Sequence, residues 1–300
     1  MSDSLPRPLA ITILIFAATL FAANHVSARF AFDDGAGLVL ALIARSSVAF
    51  LIMATIVLVR RQPMTVPAGN RGWQLALGVL ITLQSLSLYA AVARIPVAIA
   101  LLLINSWPLL YTLLNWVING QRPHLGFVLI LALILIGLVM VLDIPGWLAN
   151  PSALGDDWAV GVMLAILASV FLALAMWLTN HQLARMPGAV RSAYTMFIVT
   201  VSLVVAGSVG VIGGGFAVPE HVQGWLGIVS LALCYGIAST VLFVLVPRLN
   251  IARNAPILNF EPVASLLLSY LILGQVLSFV QLLGGAVVLS GIVMLSVSKH

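Results

Sequence analysis

Long apolar runs, separated by short breaks of charge, proline or glycine, dominate the chain. They fall at residues 9–29, 37–59, 72–93, 97–119, 125–142, 158–180, 192–213, 223–245, 255–273 and 280–298. About 20 apolar residues in helical form cross the hydrocarbon core of a bilayer. A lone span must satisfy its own backbone hydrogen bonds in lipid, so each run reads as an α-helix. The alternation expected of barrel strands is absent. The pattern therefore predicts an all-α integral membrane protein with ten transmembrane helices.

Composition agrees. Of 300 residues, 62% are hydrophobic and 7% charged, against about 25% charged in soluble proteins. An ordinary soluble enzyme and a disordered chain are both excluded. Cys234 is the one cysteine, so no internal disulfide forms. The first run, with Arg7 ahead of it and Ala22 and Ala23 near its end, also has features of a signal peptide. The repeat described below requires it as a structural helix.

The net charge of +5 would suggest nucleic acid in a soluble protein. Here the charges lie between spans and report orientation. If spans alternate, Arg7, Arg60, Arg61, Arg71, Arg122, Arg185, Arg191, Arg248, Arg253 and Lys299 share one side. Arg29 and Arg94 fall on the other, with Asp33, Asp34, Asp143, Asp156, Asp157 and Glu220. Basic loops stay cytoplasmic, so both termini are expected in the cytoplasm.

Residues 104–142 align with 258–296 without a gap, and Asn105, Pro108, Gly120, Gln121, Gly137, Val139 and Met140 recur at this spacing. Arg94 falls on Arg248 at the same offset. Leu-rich segments match by chance, but less readily at Asn, Pro, Gln and Gly. The chain reads as a duplicated five-helix unit, 1–150 and 151–300, forming one transport unit. Because five is odd, the second copy enters the membrane inverted. Inverted repeats place a substrate site near the midplane, between the halves, in secondary transporters.

The segment Asn259-Phe260-Glu261-Pro262, then Leu273-Gly274-Gln275 and Gly284 to Gly291, resembles the EamA branch of the drug/metabolite transporter superfamily. Phe21-Ala22-Ala23-Asn24-His25-Val26 resembles that family's first-helix Trp-Gly-Ser-Asn-Phe-Val stretch, and Arg45 matches a frequent helix-2 arginine. This chain departs from the family pattern at Trp107-Pro108, in place of Glu-Pro, and at Gln121 and Gln275, in place of glutamates. Length and aromatic middle helices most resemble the YddG-type amino-acid exporters. The resemblance implies ten helices in two inverted halves around a central cavity, in a bacterial inner membrane.

Charges deep in a membrane are costly, about 2.5–3.5 kcal/mol on insertion scales, and mark function by default. Glu261 and Arg45 are the embedded pair. Glu261 either binds a substrate ammonium, carries a coupling proton, or serves as a structural carboxyl. Its repeat counterpart, Trp107, cannot titrate. Arg45 reads first as an anchor near the outer surface, snorkelling or bonded to a backbone carbonyl; substrate contact is the other role open to it. Substrate-binding candidates are Asn24, His25, Gln84, Tyr89, Asn105, Trp107, Tyr111, Trp177, Tyr235, Asn259 and Glu261. Aromatic walls with a few polar groups suit amino-acid-sized ligands. The serines and threonines on these helices read as packing groups. Pro108 and Pro262 are expected to kink or gate their helices. Gly284, Gly285 and Gly291 permit close helix contact. Trp73, Trp147, Trp158 and Trp225 read as interfacial belt residues.

No metal-ligand spacing, cofactor motif or Walker A loop appears in the sequence. The expected function is secondary transport, exporting zwitterionic or neutral metabolites, amino acids foremost and aromatic ones among them. A sugar-phosphate, nucleotide-sugar or drug exchanger of the same fold is the alternative, and a membrane enzyme or channel a remote one. Expected partners are the bilayer and a small substrate, without nucleic acid, in a monomer or homodimer.

Overall fold

The computed structural model describes residues 6–120, 125–141, 157–210, 215–245, 257 and 260–297. Among them run helices α1 (Arg7–Asp33), α2 (Leu38–Val59), α3 (Arg71–Val92), α4 (Val97–Ile104), α5 (Trp107–Asn119), α6 (Leu125–Val141), α7 (Asp157–His181), α8 (Gly188–Ser208), α9 (Val222–Leu245), α10 (Glu261–Leu273) and α11 (Phe279–Val297). Among the described residues seven helical stretches, α4 and α5 together forming one, are long and apolar enough to cross a bilayer. Their outer surfaces bare Leu51, Leu58, Leu75, Met163 and Leu226. Apolar surface so extensive belongs in lipid. The protein is an integral membrane protein built of helices.

Two of the departures from the sequence expectation bear on the cavity. Residues 97–119 form two helices rather than one kinked helix, with the break at Asn105 and Ser106. Pro108, second residue of α5, has no N–H for the Ile104 carbonyl. The Asn105 and Ser106 side chains fold back onto the carbonyls of Leu101 and Leu103, at 2.8 and 2.6 Å, which also accept the backbone N–H groups of the same two residues. Pro262 likewise occupies the first turn of α10, where proline's fixed φ starts a helix rather than bending one. The second difference is α8, which begins at Gly188 instead of 192, directly after Pro187. Arg191 thereby moves from a loop into the first turn.

Gly120 and Gly274 end α5 and α10 in the left-handed region, with φ of 68° and 63°. Glycine closes a helix there without a Cβ penalty. These two caps lie at matched positions of the sequence repeat.

α1 packs on α9 and α10, and α7 packs on α3, α4 and α5. α2 packs on α8 and α9, and α3 also meets α8. With Leu14, Ala17, Ala18 and Ala22 fully buried, α1 is a packed element of the body. Hydroxyl pairs bridge helices, as Ser27 with Ser230, Ser46 with Thr200, and Ser106 with Ser169. α6 pairs with α11. Added Cβ atoms at Gly137 and Gly284 would stand 2.9 and 2.8 Å from each other's carbonyl oxygens. The glycines of α11 thus serve contact within the chain.

Of the four tryptophans expected at the interface, Trp73 and Trp225 are exposed, and Trp147 lies outside the described residues. Trp158 is a correction. It is 8% exposed and belongs to the main apolar core, on a helix that packs against α3 and α4.

One face gathers the acidic turns. Asp34 Oδ1 is 2.7 Å from His221 Nδ1, and Asp34 Oδ2 accepts from the backbone N–H of His221 and Gly224. The Gly37 N–H donates to Ala217 O at 2.8 Å. Arg29 pairs with Asp33, Arg94 with Asp157, and the Val97 N–H donates to Gln275 Oε1. The α1–α2 turn is thereby latched to the start of α9. At the opposite face, the Tyr194 hydroxyl donates to Met64 O.

The latch is pH-dependent. Backbone and side-chain bonds from His221 hold the Asp34 carboxyl below its ordinary 3.8. The bond to Asp34, aided by its charge and that of Glu220, raises His221 above its ordinary 6.5. A depressed acid stabilises the fold above its ordinary pKa and loses that contribution as pH falls through the depressed value. A raised histidine stabilises it below its ordinary pKa and loses that as pH rises through the raised value. The pair is therefore complete between pH 3.8 and 6.5 and weakens on the alkaline side. His221→Gln is expected to flatten the alkaline part of the melting-temperature profile. Identical wild-type and variant profiles from pH 6 to about 9 would refute this.

Candidate substrate cavity

A cavity of about 720 Å³ opens among the helices, within the 300–1,000 Å³ typical of ligand sites. Its walls come from α1 (Phe21, His25), α2 (Arg45, Met53), α3 (Leu77, Gln84), α4 and α5 (Ile104, Trp107, Tyr111), α7 (Met176, Thr179), α8 (Arg191, Ser192), α9 (Tyr235, Ser239) and α10 (Glu261). No described residue of α6 or α11 lines it.

At the deep end, toward the latched face, lies a polar cluster. Arg45 is 4% exposed. Its Nη1 donates to the Tyr89 hydroxyl at 3.0 Å and its Nη2 to Ser85 Oγ at 2.8 Å. The guanidinium carbon lies 4.1 Å from the Tyr235 ring centroid and 4.8 Å from that of Tyr89, a cation–π arrangement. The Tyr89 hydroxyl in turn reaches the Asn24 side-chain amide at 2.7 Å. The His25 ring rests on Tyr89 with centroids 5.2 Å apart, and His25 Nε2 is 3.5 Å from Glu261 Oε1. Five helices thus meet in one network from Arg45 to Glu261.

The other end reaches Thr179, Arg191 and Ser192. Arg191 Nη1 donates to Leu183 O at 3.2 Å, and Gln74 Nε2 donates to Thr195 Oγ1 at 2.9 Å. Between the ends, Trp107 meets Tyr111 edge-on at 6.1 Å and 80°. Asn105 and Pro108 line the wall beside them.

Of the sequence candidates, His25, Gln84, Asn105, Trp107, Tyr111, Tyr235 and Glu261 line the cavity together. Asn24 and Tyr89 do not reach it. Both are buried behind the wall, Tyr89 bonded to Arg45 and Asn24 to Tyr89. Trp177 faces away, stacked on His181 at 4.8 Å beside a second apolar cluster. Asn259 lies outside the described residues.

One expectation changes, and one contact is new. Arg45 neither snorkels nor bonds a backbone carbonyl; its partners are side chains and rings inside the protein. Glu261 has an embedded partner, His25, which the sequence separates from it by most of the chain. Arg191, Thr179 and Ser85 are contributions the sequence reading passed over. Pro187, which fixes the start of α8, was the available signal for Arg191. Among the described residues no group of three or more His, Cys, Asp or Glu stands ready for a metal.

The EamA-like transporter model matches residues 8–143 and 159–297. The chain belongs to the EamA-like transporter family. This EamA-like protein is therefore a transporter of the drug/metabolite type. One solved crystal structure, 18% identical, aligns with a TM-score of 0.64 over 97% of this chain and 98% of its own. At that identity it bears on the fold alone. Among curated proteins none matches the sequence significantly.

Proposed function

We propose that this EamA-like transporter exports amino acids and related small zwitterions by alternating access, aromatic members included. The observation carrying this reading is the cavity itself. It is sized for a metabolite, walled by Phe21, Trp107, Tyr111 and Tyr235, and provided with a few polar groups at fixed places.

Alternating access draws support from the packing. Exchanging residues 1–150 with 151–300 turns the α1–α9 contact into α7–α3, and α2–α9 into α8–α3. The α2–α8 and α6–α11 contacts map onto themselves. A pseudo-two-fold axis in the membrane plane has this property, as expected of ten spans in two inverted five-helix units. In this reading both termini face the cytoplasm of a bacterium, across its inner membrane, because Arg60, Arg61, Arg71, Arg185 and Arg191 share that side. The cavity then reaches the cytoplasm while the Asp34–His221 latch shuts the far side, a state suited to loading from within.

A second reading, exchange of sugar phosphates, draws on two arginines in the wall, Arg45 and Arg191. By helix position they are separated along the bundle by roughly ten residues' rise, about 15 Å. Both cannot clamp one phosphate.

The test is counterflow in proteoliposomes with labelled amino acids and sugar phosphates. Saturable amino-acid counterflow is expected; counterflow of sugar phosphates alone reverses the ranking. Trp107→Ala is expected to cut affinity for aromatic relative to small amino acids, by roughly 0.5–1.5 kcal/mol. Unchanged relative inhibition constants would take the indole out of the site.

A further inference from the structure

The Arg45 guanidinium is a buried cation with no carboxylate partner among the described residues. It is 4% exposed, yet its bonded partners, Tyr89 and Ser85, are neutral hydroxyls. Its Nε is buried and makes no hydrogen bond among the described residues. The described ion pairs all lie elsewhere, joining Asp33 to Arg29, Asp34 to His221, Asp157 to Arg94, and Glu261 to His25. Buried charges in proteins are normally paired. The two tyrosine rings compensate the cation only in part. Yet Arg45 lines the cavity, so an anion can reach it from there.

The same wall offers the opposite charge. Glu261 also lines the cavity, keeps 21% of its side chain exposed, and among the described residues has an imidazole for its only ionic partner. Tyr89 and His25 connect the two poles through direct contact. A cation and a carboxylate on one low-dielectric wall form a receptor for a dipolar ion. A guanidinium recognises a carboxylate through parallel N–H donors.

We infer that Arg45 binds the substrate's carboxylate while Glu261 receives its ammonium, so that the cavity selects free α-amino acids over their carboxamides. This assignment rests on the transport reading above and makes it residue-specific. It predicts that a blocked carboxyl end is discriminated against whatever the side chain, because Arg45 would then keep its unpaired charge. Arg191, at the opposite mouth of the cavity, takes no part in that discrimination.

The experiment uses the full-length protein in detergent and in proteoliposomes. Free amino acids are screened by thermal shift, and each one that binds is compared with its own carboxamide. The wild type is expected to favour the free acid by at least about tenfold, the scale of one charge-assisted contact. Arg45→Gln brings the ratio near one, and Arg45→Lys gives an intermediate value. Equal binding of acid and amide by the wild type overturns the inference, even if Arg45→Gln fails to fold. So does an Arg45→Gln protein that keeps the preference, and so does a panel in which no amino acid binds. Counterflow separates the two proposals. Binding with the acid preference but without counterflow defeats the transport reading and leaves Arg45 standing. Counterflow indifferent to the carboxylate does the reverse.

Discussion

Glu261→Gln lowers amino-acid counterflow about tenfold to a hundredfold, the cost of losing a hydrogen bond to a charged group. The substitution keeps shape and removes charge, so the helix start at Phe260–Glu261 is preserved. Two losses coincide in the variant. His25, 7% exposed at its side chain, forfeits its carboxylate partner, and the cavity wall forfeits its acceptor for a positive ligand. His25→Gln tests the first loss alone. It is expected to be milder, because Glu261 remains available to the ligand. Undiminished counterflow by the Glu261 variant at acid, neutral and alkaline pH would remove this residue from the site. The repeat places Trp107 at the matching position of the first half, so no second carboxylate compensates there.

Gly137→Val and Gly284→Val abolish assembly of a stable monodisperse protein. At Gly137 an added Cβ would stand 2.8 Å from Val288 Cγ2 and 2.9 Å from two backbone atoms. At Gly284 it would stand 2.7 Å from Met140 Cβ and from Val141 N. Backbone cannot rotate aside as a side-chain tip does, so α6 and α11 must separate. Overpacking of this kind costs about 1–3 kcal/mol, and occasionally more. Even Gly284→Ala is expected to lower the melting temperature by several degrees. Gly72→Ala is the control, since nothing lies within 4 Å of its Cβ position. Size-exclusion profiles and thermal melts in detergent decide the matter; equal melts for Gly284→Ala and Gly72→Ala would refute the close crossing.

Helices were legible in the sequence because lipid leaves the backbone one economical solution, and hydropathy reports it directly. The first-turn prolines were legible as interruptions, but not as breaks between helices. Whether a proline bends a helix or separates two depends on what its neighbours do, and here the Asn105 and Ser106 side chains fold back onto the carbonyls of Leu101 and Leu103. Cavity membership was legible for His25, Trp107, Tyr111 and Glu261, as polar or aromatic positions on apolar helices. The setting of Arg45 was not. Its partners Ser85 and Tyr89 lie a helix away in sequence, and only folding brings Tyr235 over its plane. A charge in an apolar run announces its cost, while the groups that offset that cost stay silent until the chain is assembled. Trp158 failed for the related reason that nearness to a helix end does not fix which side an indole faces.

The α6–α11 seam carries a further implication. Because no described residue of either helix lines the cavity, cargo recognition and bundle cohesion fall to separate sets of the described residues. Directed evolution restricted to the wall positions of α2, α3, α5 and α9 should therefore recover new selectivities at little expense in yield, whereas libraries spread evenly along the chain will lose most members at the glycine weld.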